Sequence, residues 1–104
     1  MFEVVLLGEV ETGDAVTAAI DQLAADGPNL GRPAADRLKG SKFHNLKELR
    51  PLGTMIRLIF IFDPNRQAVI LAAGDKTSDP TGWYRKNIPI AETRYQDWLD
   101  QLEG

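Results

Sequence analysis

At 104 residues, 43% hydrophobic and 26% charged, the chain has the length and balance of one soluble domain over residues 1–104, enough for one core and too short for two. It has no cysteine and one histidine, which excludes disulfides, thiolate nucleophiles and cysteine-built zinc sites and gives metal chemistry little support. The net charge of −3 hides an asymmetry: residues 1–31 hold six acids and no base, residues 32–66 hold eight Lys or Arg against three acids, and the remainder is mildly acidic.

The run Phe2–Leu7, FEVVLL, is rich in β-branched and aromatic residues and predicts a strand. Thr12-Gly13-Asp14 supplies cap residues for a helix in which Val16, Ala19, Ile20, Leu23 and Ala24 form an apolar stripe, ended by Gly27-Pro28. Gly31-Arg32-Pro33 predicts a second short helix, with Pro33 in its first turn and Leu38 before the terminator Gly40. Three strands of an antiparallel meander follow, His44–Arg50, Met55–Phe62 and Ala68–Ala73, separated by Pro51-Leu52-Gly53 and Asp63-Pro64-Asn65. The second, MIRLIFIF, is apolar on both faces except at Arg57, so it belongs in a sheet covered on both sides or bordering a cleft. Thr77–Gly82 reads as a loop, and a last helix near Pro89 carries Ile90, Tyr95, Trp98, Leu99 and Leu102. The expected fold class is α+β, a compact antiparallel sheet with N-terminal helices and a C-terminal helix, in the order β-α-α-β-β-β-α.

No apolar run approaches the roughly 20 residues of a membrane helix, and Met1-Phe2-Glu3 lacks the basic start of a secretory signal. The expected location is the cytoplasm. Nucleotide-binding glycine loops and nucleophile-elbow serines are absent, and no cofactor is expected. What remains is His44, Lys47, Glu48, Arg50, Arg57 and Lys76, spread over strands that should be neighbours. Alternation puts His44, Glu48 and Arg50 on one face of their strand and Lys47 with Leu49 on the other. Such an array suits cleavage of RNA: a base takes the 2′-hydroxyl proton, cations stabilise charge growing on the phosphate, and an acid protonates the leaving 5′-oxygen, with no metal required. Glu48 is a sensible base, Arg57 a charge stabiliser, and Lys76 a second cation or proton donor. Each has a plainer reading: Glu48 pairs only with Arg50 or Lys47, Lys76 is a solvated loop residue, and His44 is structural. Trp83 and Tyr84 either stack on an unpaired base or plug the core, Trp83 being the better plug and Tyr84 keeping a polar tip for a cleft. The basic middle block reads either as solvated faces or as a polyanion site.

The run LGRPAADRLKGSKFHNLKELRPLGTMIRLIFIFDPNRQAVILAAGDK, followed by GWYRKNIPIAETRY, resembles the RelE/HigB-like toxins of bacterial type II toxin–antitoxin modules, in their phage-derived branch. The resemblance covers about Asp21 to Leu102 and is carried by the LGRP, KGS, KELR, IR, FDP, GDK and IPIA pieces in that order and spacing. It implies an antiparallel sheet flanked by helices, a cognate antitoxin partner, and cleavage of messenger RNA on the ribosome. It also implies that Arg57 contacts the scissile phosphate with Lys76 nearby, and that Lys47, Glu48 and Arg50 lie on the strand that supplies further charged groups; beside it, the residues themselves offer His44 and Tyr84 as further substrate-binding groups. Two features depart from the pattern. Between Glu11 and Asp14 most of a first helix is lacking, a loss that would alter antitoxin binding, expose apolar surface such as Leu7 and Val16, or mark an inactive copy. The pI near 5.0 is low for a ribosome-directed nuclease, so affinity for RNA should rest on the basic block and fall with salt.

Three classes of function follow. The first is a metal-independent endoribonuclease toxin; the second is a protein of the same fold that binds, as a gyrase inhibitor or an inactive antitoxin-binding remnant, without RNA chemistry. A plain structural subunit leaves Arg57 unexplained. Arg57 and Lys76 discriminate: convergence on an open cleft favours the nuclease, and burial of either in a structural ion pair favours the binder.

Overall fold

The computed structural model describes residues 1–11 and 13–104. Among these, five strands and two α-helices form an α+β fold: β1 Val4–Leu6, α1 Asp14–Asp26, β2 Ala35–Arg37, β3 Lys47–Leu49, β4 Ile56–Phe62, β5 Ala68–Asp75 and α2 Pro80–Glu103, with a 3-10 turn at Gly27–Asn29 after α1. The sheet order is β1-β5-β4-β3-β2.

The meander is antiparallel as expected, with Glu48 opposite Ile59, Arg57 opposite Gly74, and a bulge at Ile59/Phe60. The sheet as a whole is mixed, because β1 runs parallel to β5, with Val5 opposite Val69. The chain reaches β5 from β1 only after crossing α1 and three other strands, and that long excursion permits a parallel pair where a hairpin would not.

A second helix does not form. Residues 35–37 are instead an edge strand paired with β3, Asp36 lying opposite Glu48. The segment between Gly31 and Gly40 is too short for a helix to stand on its own, and pairing with β3 gives its backbone partners and Asp36 two arginines. The last helix also differs: it starts at Pro80 and runs 24 residues. Asp79 caps it, its carboxylate accepting from the Gly82 N–H at 3.0 Å, and Pro80 occupies the first turn. Pro89 sits inside the helix, where it removes a backbone hydrogen bond; such a proline costs about 3 kcal/mol in an unsupported helix. Packing of Trp83, Ile88, Ala91 and Tyr95 against the sheet offsets it.

The helices cover opposite faces. α1 lays Val16, Ala19 and Leu23 on Leu49, Leu58, Phe60 and Ile70; α2 lays Ala91 and Tyr95 on Leu46, Ile59, Ile61, Val69 and Leu71. β4 is therefore buried on both sides from Leu58 to Ile61, as its sequence predicts. Gly13 caps α1, while the expectation of a cap at Thr12 lies outside the described residues. Gly27 closes α1 at φ 56°, and a Cβ there would meet the Phe2 ring at 2.2 Å. Val16 is buried and Leu7 half-buried, so the apolar surface expected there is not open; Leu6 is the exposed residue of that segment.

The β4–β5 turn is held by a buried carboxylate. Asp63 Oδ1 accepts from the N–H groups of Asn65 and Gln67 at 3.0 and 2.9 Å, and Oδ2 accepts from Trp98 Nε1 at 2.9 Å. Each acceptor oxygen of Asp63 thus has a donor, which a buried carboxylate requires.

Candidate active site

On the α2 face, alternation along the strands brings Glu48 of β3 and Arg57 of β4 together at the end of the sheet where α2 begins. Glu48 is buried at 4% exposure and is the hub. Its Oε2 accepts from Arg50 Nη2 at 2.8 Å and Nε at 3.2 Å, and its Oε1 accepts from the Tyr84 hydroxyl at 2.5 Å. Arg57 Nε stands 3.7 Å from Oε1, an ion-pair contact beyond hydrogen-bond reach.

Arg57 is fixed by its own backbone neighbourhood. Its Nη1 donates to the carbonyls of Ile56 and Thr54 at 2.8 and 3.3 Å, and Thr54 is itself pinned by its hydroxyl on the Pro51 carbonyl. Nε is buried without a hydrogen-bond partner, and the guanidinium lies close enough to the Tyr84 phenol to pull its pKa down against the larger effects that raise it. With 13% of its side chain exposed, the guanidinium is positioned yet has an unspent donor.

The first turn of α2 supplies the phenol. Gly74, opposite Arg57, lets Trp83 lie flat on β5, since a Cβ there would meet Trp83 Nε1 at 2.6 Å. Trp83 packs into the core and meets Tyr84 edge-on at 5.2 Å. Past the end of β5, the Lys76 N–H donates to the Met55 carbonyl, and its ammonium sits 5.1 Å from the Tyr84 ring centroid. Burial, then the hydrogen bond to Glu48, pushes the Tyr84 phenol up to about 12. Hydrogen bonding to Glu48 raises Arg50 further above its already high value.

Of the seven residues singled out from sequence, five meet here: Glu48, Arg50, Arg57, Lys76 and Tyr84. Lys47 lies on the other face of β3, as alternation predicts, with its ammonium 5.8 Å from the Phe62 ring centroid. His44 does not share the Glu48 face. It lies before β3, exposed, its carbonyl accepting from Arg37 Nη2 at 3.2 Å. Asp36 is the member that sequence reasoning missed. Its carboxylate bridges Arg32 at 3.1 Å and Arg50 at 3.4 Å, extending the cluster to the sheet edge, and the Arg37 N–H, then Arg32, hold its pKa down. Only cross-strand pairing could have shown this, and the segment reads locally as a helix. No grouping of His, Asp and Glu fit to hold a metal occurs among the described residues, and no helix there is long and apolar enough to cross a membrane.

A separate apolar groove of about 530 Å³ runs along α1 past Ala15, Ala18 and Gln22 to Leu52, with Arg50 at its edge. Arg50 therefore touches both this groove and the Glu48 cluster.

The family described as Phage derived protein Gp49-like matches residues 9–96. "Putative toxin HigB3" of Mycobacterium tuberculosis strain H37Rv is 54% identical over 89 residues, covering 86% of this chain and 78% of that protein. "Putative toxin HigB2" of the same organism is 44% identical over 96 residues, covering 89% of this chain; the chain spans about half, 48%, of HigB2. The resemblance to HigB-like toxins is borne out, and the chain belongs to the phage-derived Gp49-like family.

Proposed function

We propose that the chain is the toxin of a toxin–antitoxin module and that it acts as a metal-independent endoribonuclease on translated messenger RNA in the cytoplasm, held in check by a cognate antitoxin. The toxin reading rests on family membership and on the names of HigB3 and HigB2. The observation that carries the nuclease reading is Arg57, a guanidinium anchored through Nη1 beside the Tyr84 phenol, over whose ring the Lys76 ammonium sits. Such a pair of cations suits the non-bridging oxygens of a phosphate as charge grows on them.

In this reading Arg57 and Lys76 bind the scissile phosphate. Glu48 is too buried to touch a ribose, so the proton of the attacking 2′-hydroxyl reaches it through Tyr84, which accepts that proton while passing its own to Oε1. The 2′-oxygen bonds to phosphorus, the bond to the 5′-oxygen breaks, and Lys76 protonates the leaving oxygen. The products are a 2′,3′-cyclic phosphate and a free 5′-hydroxyl. The high pKa of Tyr84 keeps the phenol protonated between turnovers. Arg50 positions Glu48 through two donors.

One observation favours the binding reading instead: Arg57 is largely buried and ion-paired with Glu48, the arrangement expected of a structural pair. The two readings separate on induced expression in a bacterial host of the native chain beside Arg57→Ala, with primer extension on a translated message. Growth arrest with cleavages that vanish in the variant supports the nuclease. Arrest without cleavage, unaffected by the variant, supports a non-nucleolytic binder, and absence of arrest supports an inactive copy.

A further inference from the structure

Outside the Glu48 cluster, Arg32, Arg37 and Lys39 surround a hollow of about 460 Å³ that Asp36, Ser41 and His44 also line. Its floor is the edge strand β2 and the turn that follows it. The turn is built, since Ser41 Oγ donates to Glu92 Oε2 at 2.8 Å, the Lys42 N–H donates to the same oxygen at 2.9 Å, and Phe43 packs edge-on to Tyr95 at 4.9 Å. These contacts tie residues 41–43 to α2. The Arg37 guanidinium is held over the hollow's rim by the His44 carbonyl at 3.2 Å. Gly40 adopts φ 83°, with open space where a side chain would stand.

We infer that this hollow is a second anion subsite, which takes a phosphate flanking the scissile one on the same single-stranded RNA. The inference rests on the proposed nuclease reading and extends it from one phosphate to a path. Three observations carry it. Among the lining residues three permanent cations, Arg32, Arg37 and Lys39, stand against one carboxylate, Asp36, with Glu92 held behind the turn by Ser41, so the hollow is locally positive in a chain of net charge −3. It lies one strand from the candidate site, since Asp36 is opposite Glu48 and adjacent strands are about 4.8 Å apart. An unbroken line of ion pairs, Arg32 to Asp36 to Arg50 to Glu48 to Arg57, joins the two. The lining has one apolar side chain, Leu38, and no Trp or Tyr to anchor a protein partner. A phosphate backbone needs only the cations.

The test measures binding, not cleavage. A fluorescent single-stranded 2′-O-methyl oligonucleotide, which lacks the attacking hydroxyl, is titrated against the native chain, Arg37→Ala/Lys39→Ala and Arg57→Ala across a range of salt. Both residues of the double variant are exposed, and an unchanged thermal melt establishes that it folds. On single strands each lost phosphate contact reduces the slope of log K against log salt by about 0.7. The double variant should therefore bind more weakly, with a slope shallower by about 0.7. An oligonucleotide too short to span both subsites should be indifferent to it. Affinity and slope equal to the native chain's for the long oligonucleotide would overturn the inference. Loss of polyglutamate binding with oligonucleotide binding intact would also overturn it, marking a protein-docking surface. If the native chain binds and the double variant loses its slope while no message is cleaved in the expression experiment, the nuclease reading fails and the anion subsite stands.

Discussion

Glu48 is the residue whose removal should unsettle the site most, and the structure gives the scale. Glu48→Ala deletes a buried carboxylate that two arginines and a phenol address. Arg50 keeps Asp36 and a third of its side-chain exposure. Arg57 keeps only its backbone acceptors, with Nε sealed and 13% exposure, so its charge becomes uncompensated. Breaking one side of a buried pair typically costs about 3–5 kcal/mol, against a total stability of about 5–15 kcal/mol for a domain. With a urea m-value of about 1–3 kcal/mol/M, the unfolding midpoint should fall by at least about 1 M. The decisive comparison is Glu48→Leu/Arg57→Met, which removes both charges. Replacing a whole buried pair by apolar residues is often neutral or stabilising, so the double variant should recover most of the loss in urea unfolding while abolishing any RNA cleavage. A Glu48→Ala loss below about 1 kcal/mol, or a double variant no more stable than the single one, would refute the view that this pair is a desolvated unit.

Three further outcomes are expected. The chain has two tyrosines, so subtracting the tyrosinate absorbance titration of Tyr84→Phe from that of the native chain isolates Tyr84, whose midpoint should lie near 12. A phenol raised above its ordinary value of 10 contributes stability that is complete below pH 10 and lost as pH rises through the folded value; a midpoint at 10 would contradict the burial and the Glu48 bond. Gly74→Ala should displace Trp83 from β5, lower the melting temperature by an amount equivalent to about 1–3 kcal/mol and alter tryptophan fluorescence; native-like melting and emission would contradict the close packing. Asp63→Ala should leave the Trp98 indole and two backbone N–H groups unpaired, costing about 2–4 kcal/mol in urea unfolding, and a near-neutral effect would show that the turn holds itself.

The parts legible in the sequence were those where one local signal and the tertiary context agree. β4 is buried on both faces, and its apolar run says so directly. The face shared by Glu48 and Arg50 follows from strand alternation alone, as does the opposite direction of Lys47. Where local signals conflicted, the tertiary context won. Residues 31–40 carry a helix-initiating proline and a terminating glycine, yet the open edge of β3 and the arginines awaiting Asp36 made a strand of them. Asp79-Pro80, which caps α2, lies in a polar stretch that reads as loop, and Pro89 looked like a beginning because it should not sit in a helix interior. With α2 started nine residues late, the first turn that carries Tyr84 to Glu48 could not be placed.

Charge shows how a sequence pattern turns into a spatial one. The acidic opening stretch contributes β1 and α1, and the basic block contributes β2, β3 and β4. The sheet order β1-β5-β4-β3-β2 puts the strand that belongs to the acidic stretch and the first strand of the basic block at opposite edges. Glu9 and Glu11 line a hollow with Asp75 at the end of β4 and β5 where Ile56 pairs with Asp75, while Arg32, Arg37 and Lys39 ring the hollow on the β2 side. A chain of net charge −3 thereby carries a cationic hollow at its β2 edge, apart from the anionic hollow at the end of β4 and β5. Because exposed charges are screened beyond about 8–10 Å at physiological salt, a polyanion at β2 responds chiefly to the near edge and little to the net charge. The low pI is therefore compatible with RNA binding, provided that the binding is local, orientation-specific and steeply sensitive to salt.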